Sequence, residues 1–329
     1  VNTAVNPAAN TGNTGNTVGL ATAGPQAAAG PFVPQQNAGF LLFSPDALFS
    51  GRYAYALDYL AGLGIHVKGV SRLHMTPEQV DGLYAKNRRD RSDRPEDRLV
   101  DRLFGAGPSL ACWLVSGSLR GPSLVDTLRV LKGPSDPAGC HPGHLRHVLG
   151  AENGLMNGVH SSDSPEEAAQ EIGTLGITEF TQPEPRQLPP EPGDCANGQS
   201  AGRPTSALAV ACLLRRRVFD AAHLSVPKTR DIQAEAEALA GRHVKPSGVL
   251  ATLGTLWDRQ HGLIRAAAPK DDALIACLTR VAEICSSSFD ADRLTRAVAP
   301  FGVVLSDWED LVLRCQAHFG ALPGWRDLE

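Results

Sequence analysis

A chain of 329 residues with 42% hydrophobic side chains can bury one sizeable core and leaves room for a second folded unit. The formal net charge of -4 supplies no global field for a polyanion, so nucleic acid is not the expected partner. No stretch approaches the roughly 18 apolar residues of a membrane span, no basic region precedes an early apolar run, and the seven cysteines form no C-x-x-C pair. The expectation is a soluble, unexported, cytoplasmic protein with reduced thiols.

Residues 1–37 consist of Asn, Thr, Gly, Ala, Pro and Gln with almost no large apolar side chains, too few to offset the entropy of ordering, so a disordered tail is expected. Gly39-Phe40-Leu41-Leu42-Phe43 then reads as a buried strand, and Tyr53, Ala56, Leu57 and Leu60 recur at helical spacing up to Gly62 and Gly64. Ile65–Leu73 forms a second strand. Thr76-Pro77-Glu78-Gln79 combines a hydroxyl N-cap, a proline at the first helical position and a capping-box glutamine, which starts a helix near Pro77. Ser109–Ser116 gives a third strand, residues 122–132 a helix with Leu124, Leu128 and Leu131 on one face, and residues 155–160 a fourth strand. A last helix follows Ser164, with Pro165 first and Glu167 completing a capping box.

The resulting order is β-α-β-β-α-β with extra helices, an α/β ferredoxin-like arrangement in which helices cover one face of an antiparallel sheet. It occupies residues 38–176. Pro183, Pro185, Pro189, Pro190 and Pro192, followed by Gly193, Gly198 and Gly202, mark residues 177–204 as a linker. Residues 206–219, 230–239, 271–284 and Asp307–Phe319 carry helical periodicity without a strand pair, so residues 205–329 are expected to form a separate, mainly helical domain. That domain is a candidate docking region for a protein partner.

Among chemically capable side chains, His160 ends a strand four residues before a helix N-cap, near the positive end of that helix, where anions are favoured. A histidine accepts a phosphoryl group when the donor is aligned and its far ring nitrogen is held by an acceptor. Glu171, two helical turns beyond Ser164 on the same face, is placed to be that acceptor. Cys140, His141, His144 and His147 share a loop but fit no common metal spacing, and no protein metal site is expected. The run 88–94 mixes signs and reads as a solvated loop. Arg215-Arg216-Arg217 read as cations near a helix C-terminus, with an acidic or nucleic-acid partner as the alternative. Trp113, Trp257, Trp308 and Trp325 read as core or interface anchors.

The run Asn157-Gly158-Val159-His160-Ser161-Ser162-Asp163-Ser164 resembles the Asn-x-x-His-Gly-Ser-Asp-Ser signature of nucleoside-diphosphate kinases, with Ser161 in place of the glycine. Upstream, Arg129, Gly133, Ser135, Pro137, Pro142, Gly143 and Arg146 are similar to the family's helix arginine, Gly-x-Thr-x-Pro and Pro-Gly-x-x-Arg segments. The resemblance implies an NTP-dependent phosphotransferase, with ATP or another NTP as donor and Mg²⁺ arriving on the nucleotide phosphates. It implies that His160 carries the phosphate, with Glu171 and Ser162 beside it. Phosphate contacts fall to Arg129, Arg146 and Ser135, sugar and phosphate contacts to Asn157, and a place near the transferring group to Tyr84. A homo-oligomer is also implied.

Three further departures stand against the family pattern. Ser44-Pro45-Asp46-Ala47 replaces a Lys-Pro-Asp-Gly run, so Ser44 stands where a phosphate-reaching lysine is expected. No aromatic residue lies at Pro95-Glu96-Asp97, where the family stacks its base, and one extra residue separates Arg146 from Asn157. These changes affect the nucleoside more than the phosphate grip. They leave a catalytically weak or inactive nucleotide-binding or scaffolding protein as the alternative function.

Overall fold

The computed structural model describes residues 36–86, 88, 94–117, 122–182, 203–223, 226, 228–240, 246–267, 271–286 and 288–319. Most of the expected tail and linker, part of the 88–94 run and Trp325 lie outside them. The elements in order are β1 (Ala38–Phe43), α1 (Pro45–Phe49), α2 (Tyr53–Gly62), β2 (Ile65–Leu73), α3 (Pro77–Leu83), α4 (Pro95–Gly105), β3 (Ser109–Ser116), α5 (Leu124–Lys132), α6 (Leu145–Val148), β4 (Val159–His160) and α7 (Pro165–Thr174). Then follow α8 (Ala207–Ala221), α9 (Thr229–Ala240), α10 (Pro246–Ala267), α11 (Asp272–Ala282), α12 (Ala291–Val298) and α13 (Asp307–Phe319).

The four strands form one antiparallel sheet in the order β2-β3-β1-β4, the ferredoxin-like order. Side chains alternate across it: Leu41 and Phe43 enter one apolar layer, Phe40 and Leu42 the other. The first layer is closed by Tyr53, Ala56 and Leu60 of α2 and by Leu124 and Leu128 of α5, the helical face expected from the sequence. The second face is covered as well, by Val80 and Leu83 of α3, Leu103 and Phe104 of α4, and Ala168 and Ile172 of α7. The extra helices therefore add a second layer to the expected arrangement. A sheet apolar on both faces has to be covered on both.

Local signals explain where these elements begin. Thr76 and Gln79 form a reciprocal capping box at α3. At α7 the expected box is displaced: Ser164 Oγ accepts from the Glu167 N–H, but the Glu167 carboxylate accepts from the N–H of Asp163, one residue before the cap. The expected strand over residues 155–160 shortens to Val159–His160. Asn153 Oδ1 accepts from the backbone of Leu155 and Met156, the Asn157 N–H bonds back to the Leu155 carbonyl, and Gly158 turns at φ +77. These bonds curl the segment before pairing can begin.

Beyond α7, the Val70 N–H donates to the Thr181 carbonyl at 2.8 Å and the Thr181 N–H returns to Val70 at 2.9 Å, against the outer side of β2. Phe180 packs so closely on Gly69 that a β-carbon there would lie 2.7 Å from its Cβ. The helical region holds two helices, α10 and α12, that the periodicity did not single out. Its core is continuous with the second sheet layer through α4. Phe49 meets Trp308 edge-on at 4.7 Å, and the Trp308 indole donates to the Pro204 carbonyl at 2.8 Å.

The three consecutive arginines of α8 part company. Arg215 is fully buried, donating to the Leu278 carbonyl at 2.9 Å and Gln260 Oε1 at 2.7 Å, with Trp257 4.9 Å from its guanidinium. Burial pulls its pKa down to about 9. Arg216 pairs with Glu237 at 3.1 Å and Arg217 with Glu309 at 2.8 Å. Arg215 thus corrects the reading of the trio as cations at a helix terminus, since it serves the core.

Candidate active site

β4 presents His160 opposite Leu42 of β1, and the Ser44 N–H donates to the carbonyl of Gly158 at 3.2 Å, which fixes the turn entering the strand. Nε2 of His160 lies 3.0 Å from both carboxylate oxygens of Glu171, which projects from the second turn of α7. Ser162 Oγ donates to Glu171 Oε2 at 2.5 Å, so the carboxylate is held from two sides. Glu171 is buried and His160 retains 23% exposure. Because Nε2 is engaged, Nδ1 is the ring nitrogen left without a protein hydrogen bond among the described residues.

The ring borders a cavity of about 920 Å³ whose wall carries several cations, among them Arg129, Lys132 and Arg146. Arg146 is buried and, among the described residues, has no carboxylate partner. Its guanidinium donates to the carbonyls of Gly133 at 2.8 Å and Val159 at 3.3 Å and to Ser135 Oγ at 3.2 Å, while Nε finds no acceptor among the described residues. Burial holds its pKa below the usual arginine range. A buried cation compensated by neutral dipoles alone stands ready for an anion. Arg129 is exposed on the last turn of α5.

Lys132, three residues after Arg129 and thus on the same helix face, was not among the candidates. It is 14% exposed, donates to the Ser161 carbonyl at 2.7 Å and lies 3.9 Å from Asp163. Burial, then the neighbouring Arg146, lower its pKa. Its i,i+3 spacing from Arg129 was the signal available in the sequence.

Tyr84 lines the same cavity, its ring 6.4 Å from that of His160 and 5.7 Å from Phe104. Burial raises its phenol far above the ordinary value. Asn157 donates to the Gly154 carbonyl at 2.7 Å. Ser44 also lines the cavity, but its hydroxyl donates to Asp46 Oδ1 at 2.5 Å. All nine candidate residues are thus gathered at one place: eight border the cavity, and Ser162 sits behind Glu171. Phe319, the last residue of α13, borders it too, and no local sequence signal could have brought it there.

A family model described as nucleoside diphosphate kinase matches residues 37–176. The nucleoside diphosphate kinase of Desulfovibrio desulfuricans is 35% identical over 135 residues, covering 41% of this chain and 89% of that protein. The one from Thermomicrobium roseum is 32% identical over 135 residues, covering 40% of this chain and 83% of its own. Among solved structures, the Aquifex aeolicus nucleoside diphosphate kinase in an orthorhombic crystal form is 27% identical, covers 42% of this chain and 93% of its own, and has a TM-score of 0.35. The enzyme from Encephalitozoon cuniculi is 20% identical, covers 45% and 93%, and has a TM-score of 0.37. Through residues 37–176, this chain belongs to the nucleoside diphosphate kinase family.

Proposed function

We propose that the chain is a phosphotransferase that passes the terminal phosphoryl group of ATP or another NTP through His160 to a nucleoside diphosphate or a related phosphorylated metabolite. The observation that carries this reading is the pairing of His160 Nε2 with Glu171 beside a cavity lined by Arg129, Lys132 and Arg146. The Nδ1 lone pair forms a P–N bond as the bond from phosphorus to the β,γ-bridging oxygen breaks, and the nucleoside diphosphate leaves with that electron pair. In the second half, an oxygen of the acceptor diphosphate bonds to phosphorus, the P–N bond breaks, and the neutral imidazole returns. No proton is gained or lost overall.

Glu171 offsets the positive charge that the ring acquires on phosphorylation, and Ser162 fixes the carboxylate. Arg129, Arg146 and Ser135 bind phosphates, Lys132 adds a third cation, Asn157 contacts sugar and phosphate, and Tyr84 flanks the transferring group. Positioning and charge neutralisation are what phosphoryl transfer chiefly demands. Mg²⁺ enters as part of the nucleotide substrate. Among the described residues no group of three or more His, Cys, Asp or Glu is arranged to hold a metal of its own.

Ser44 favours a second reading, a nucleotide-binding or scaffolding protein with little turnover, because its hydroxyl is neutral and tied to Asp46. Incubation with γ-labelled ATP and Mg²⁺ tests the first reading. It expects acid-labile label on the wild type and none on His160→Ala; an unlabelled wild type favours the second. By likeness to the family we also expect a homo-oligomer acting in the cytosol, with residues 205–329 available to a protein partner. Among the described residues no helix is long and apolar enough to cross a membrane.

A further inference from the structure

The cavity has two chemical characters. Arg129, Lys132 and Arg146 line it together with His160, while Val100, Leu103, Phe104 and Leu155 contribute an apolar stretch to a wall that also includes Arg94, Glu96 and Asp97. Part of that wall comes from outside residues 37–176. Phe319, at the end of α13, places Cδ1 3.5 Å from where a β-carbon on Gly154 would stand, and Gly154 is the residue whose carbonyl Asn157 holds. The adjacent His318 Nε2 meets Glu96 Oε1 at 3.0 Å, and Glu96, like Gly154, lines the cavity.

α13 is held there along its length. At its start Arg102 of α4 donates to Asp310 Oδ2 at 2.8 Å and to the Asp307 carbonyl at 3.2 Å, and Trp308 is buried. At its end the His318–Glu96 pair and Phe319 close onto the cavity. The His318 ring stands edge-on to Phe319 at 4.9 Å, a contact that limits the rotation of the phenyl group. The helix end forms a wall and leaves the cavity open, since about 920 Å³ remains, within the range of small-molecule sites.

We infer that Phe319 supplies the face against which the flat, apolar-sided base of a nucleotide packs, while the phosphates reach Arg129, Lys132 and Arg146. The helical region thereby completes the nucleotide pocket of the family domain, and the His318–Glu96 pair holds the phenyl group in place. This rests on the nucleotide reading of the site but not on turnover. It accounts for a pocket that has no aromatic side chain at residues 95–97. The aromatic group arrives from α13, more than two hundred residues further along the chain.

The test is calorimetric titration of the full chain with two probes, ADP with Mg²⁺ and inorganic tripolyphosphate, which lacks a base. Phe319→Ala should weaken ADP binding roughly 5- to 100-fold, the scale of one base-on-aromatic stack, and leave tripolyphosphate binding within about twofold of wild type by the same reasoning. Phe319→Trp should retain ADP affinity, and His318→Ala should show a smaller loss than Phe319→Ala. Circular dichroism melts of each variant establish that it is folded. The inference is overturned if ADP affinity is unchanged in Phe319→Ala, if it rises, if both probes weaken equally, or if the wild type binds no ADP. A wild type that binds ADP through Phe319 yet takes no label from ATP would support this inference while removing the phosphotransfer reading.

Discussion

Both carboxylate oxygens of Glu171 stand 3.0 Å from Nε2 of His160, and the same carboxylate receives the hydroxyl of Ser162. The arrangement fixes the ring's orientation and concentrates negative charge on the side away from Nδ1. Glu171→Gln preserves the size of the side chain and removes the charge. Single-turnover labelling of His160 should slow by about 10²-fold, as for a positioned acid-base partner, while ADP affinity changes little. Ser162→Ala should slow it less, because Glu171 remains. An unchanged labelling rate in Glu171→Gln would remove the assigned role.

Lys132 reaches the Ser161 carbonyl from the end of α5, one helical turn beyond Arg129. Lys132→Met keeps most of the stem and deletes the cation. Labelling should fall by roughly 10²- to 10³-fold, the cost typical of losing one preorganised stabiliser of developing charge. Ser44→Lys, introduced into that background, should recover part of the rate, because both positions line one cavity. If Lys132→Met labels at the wild-type rate, the cation belongs to the fold alone.

His261 accepts from Arg215 Nη2 at 3.3 Å, and burial, then the Arg215 charge, push its pKa down to about 4. In the unfolded chain the ring takes its proton near pH 6.5. Between those values the unfolded state binds the extra proton, so this contribution to stability is complete above about pH 6.5 and is lost as pH falls towards 4. His261→Gln retains an acceptor for Arg215 and does not titrate. Its melting temperature should therefore fall less steeply than that of the wild type from pH 7 to pH 4.5; parallel curves would rule His261 out as the source.

The strands of the family domain were legible because their apolar runs are short, bounded by turn residues and filled with Phe, Leu, Ile and Val; Ile65–Leu73 and Ser109–Ser116 have the predicted limits. Capping chemistry placed α3 and α7 equally well. Residues 155–160 misled, since Leu, Met and Val suggest a strand while Asn153 and Gly158 impose a turn. α10 escaped notice because Gly248, Gly254 and Gly262 interrupt its pattern, although tertiary packing keeps it helical. In the site, the helix spacing made Glu171 a possible neighbour of His160, which the structure places 3.0 Å away, but it was the resemblance to the family signature that singled out His160 among the histidines. Phe319 was not, because its position depends on how α13 docks against α4, a relation that no local pattern records.

The two hydrogen bonds between Thr181 and Val70 bear on how copies of the protein meet. An outer strand with free N–H and carbonyl groups is a template for another strand, and Thr181 satisfies both groups of Val70 in the middle of β2. The chain thus closes over its own seam, and self-association by continuing the sheet across β2 would first have to displace residues of the same molecule. Thr181→Pro removes the donor to Val70. Light scattering should show increased, concentration-dependent association of this variant relative to the wild type, whose own assembly should run through other surfaces and be unaffected by blocking β2.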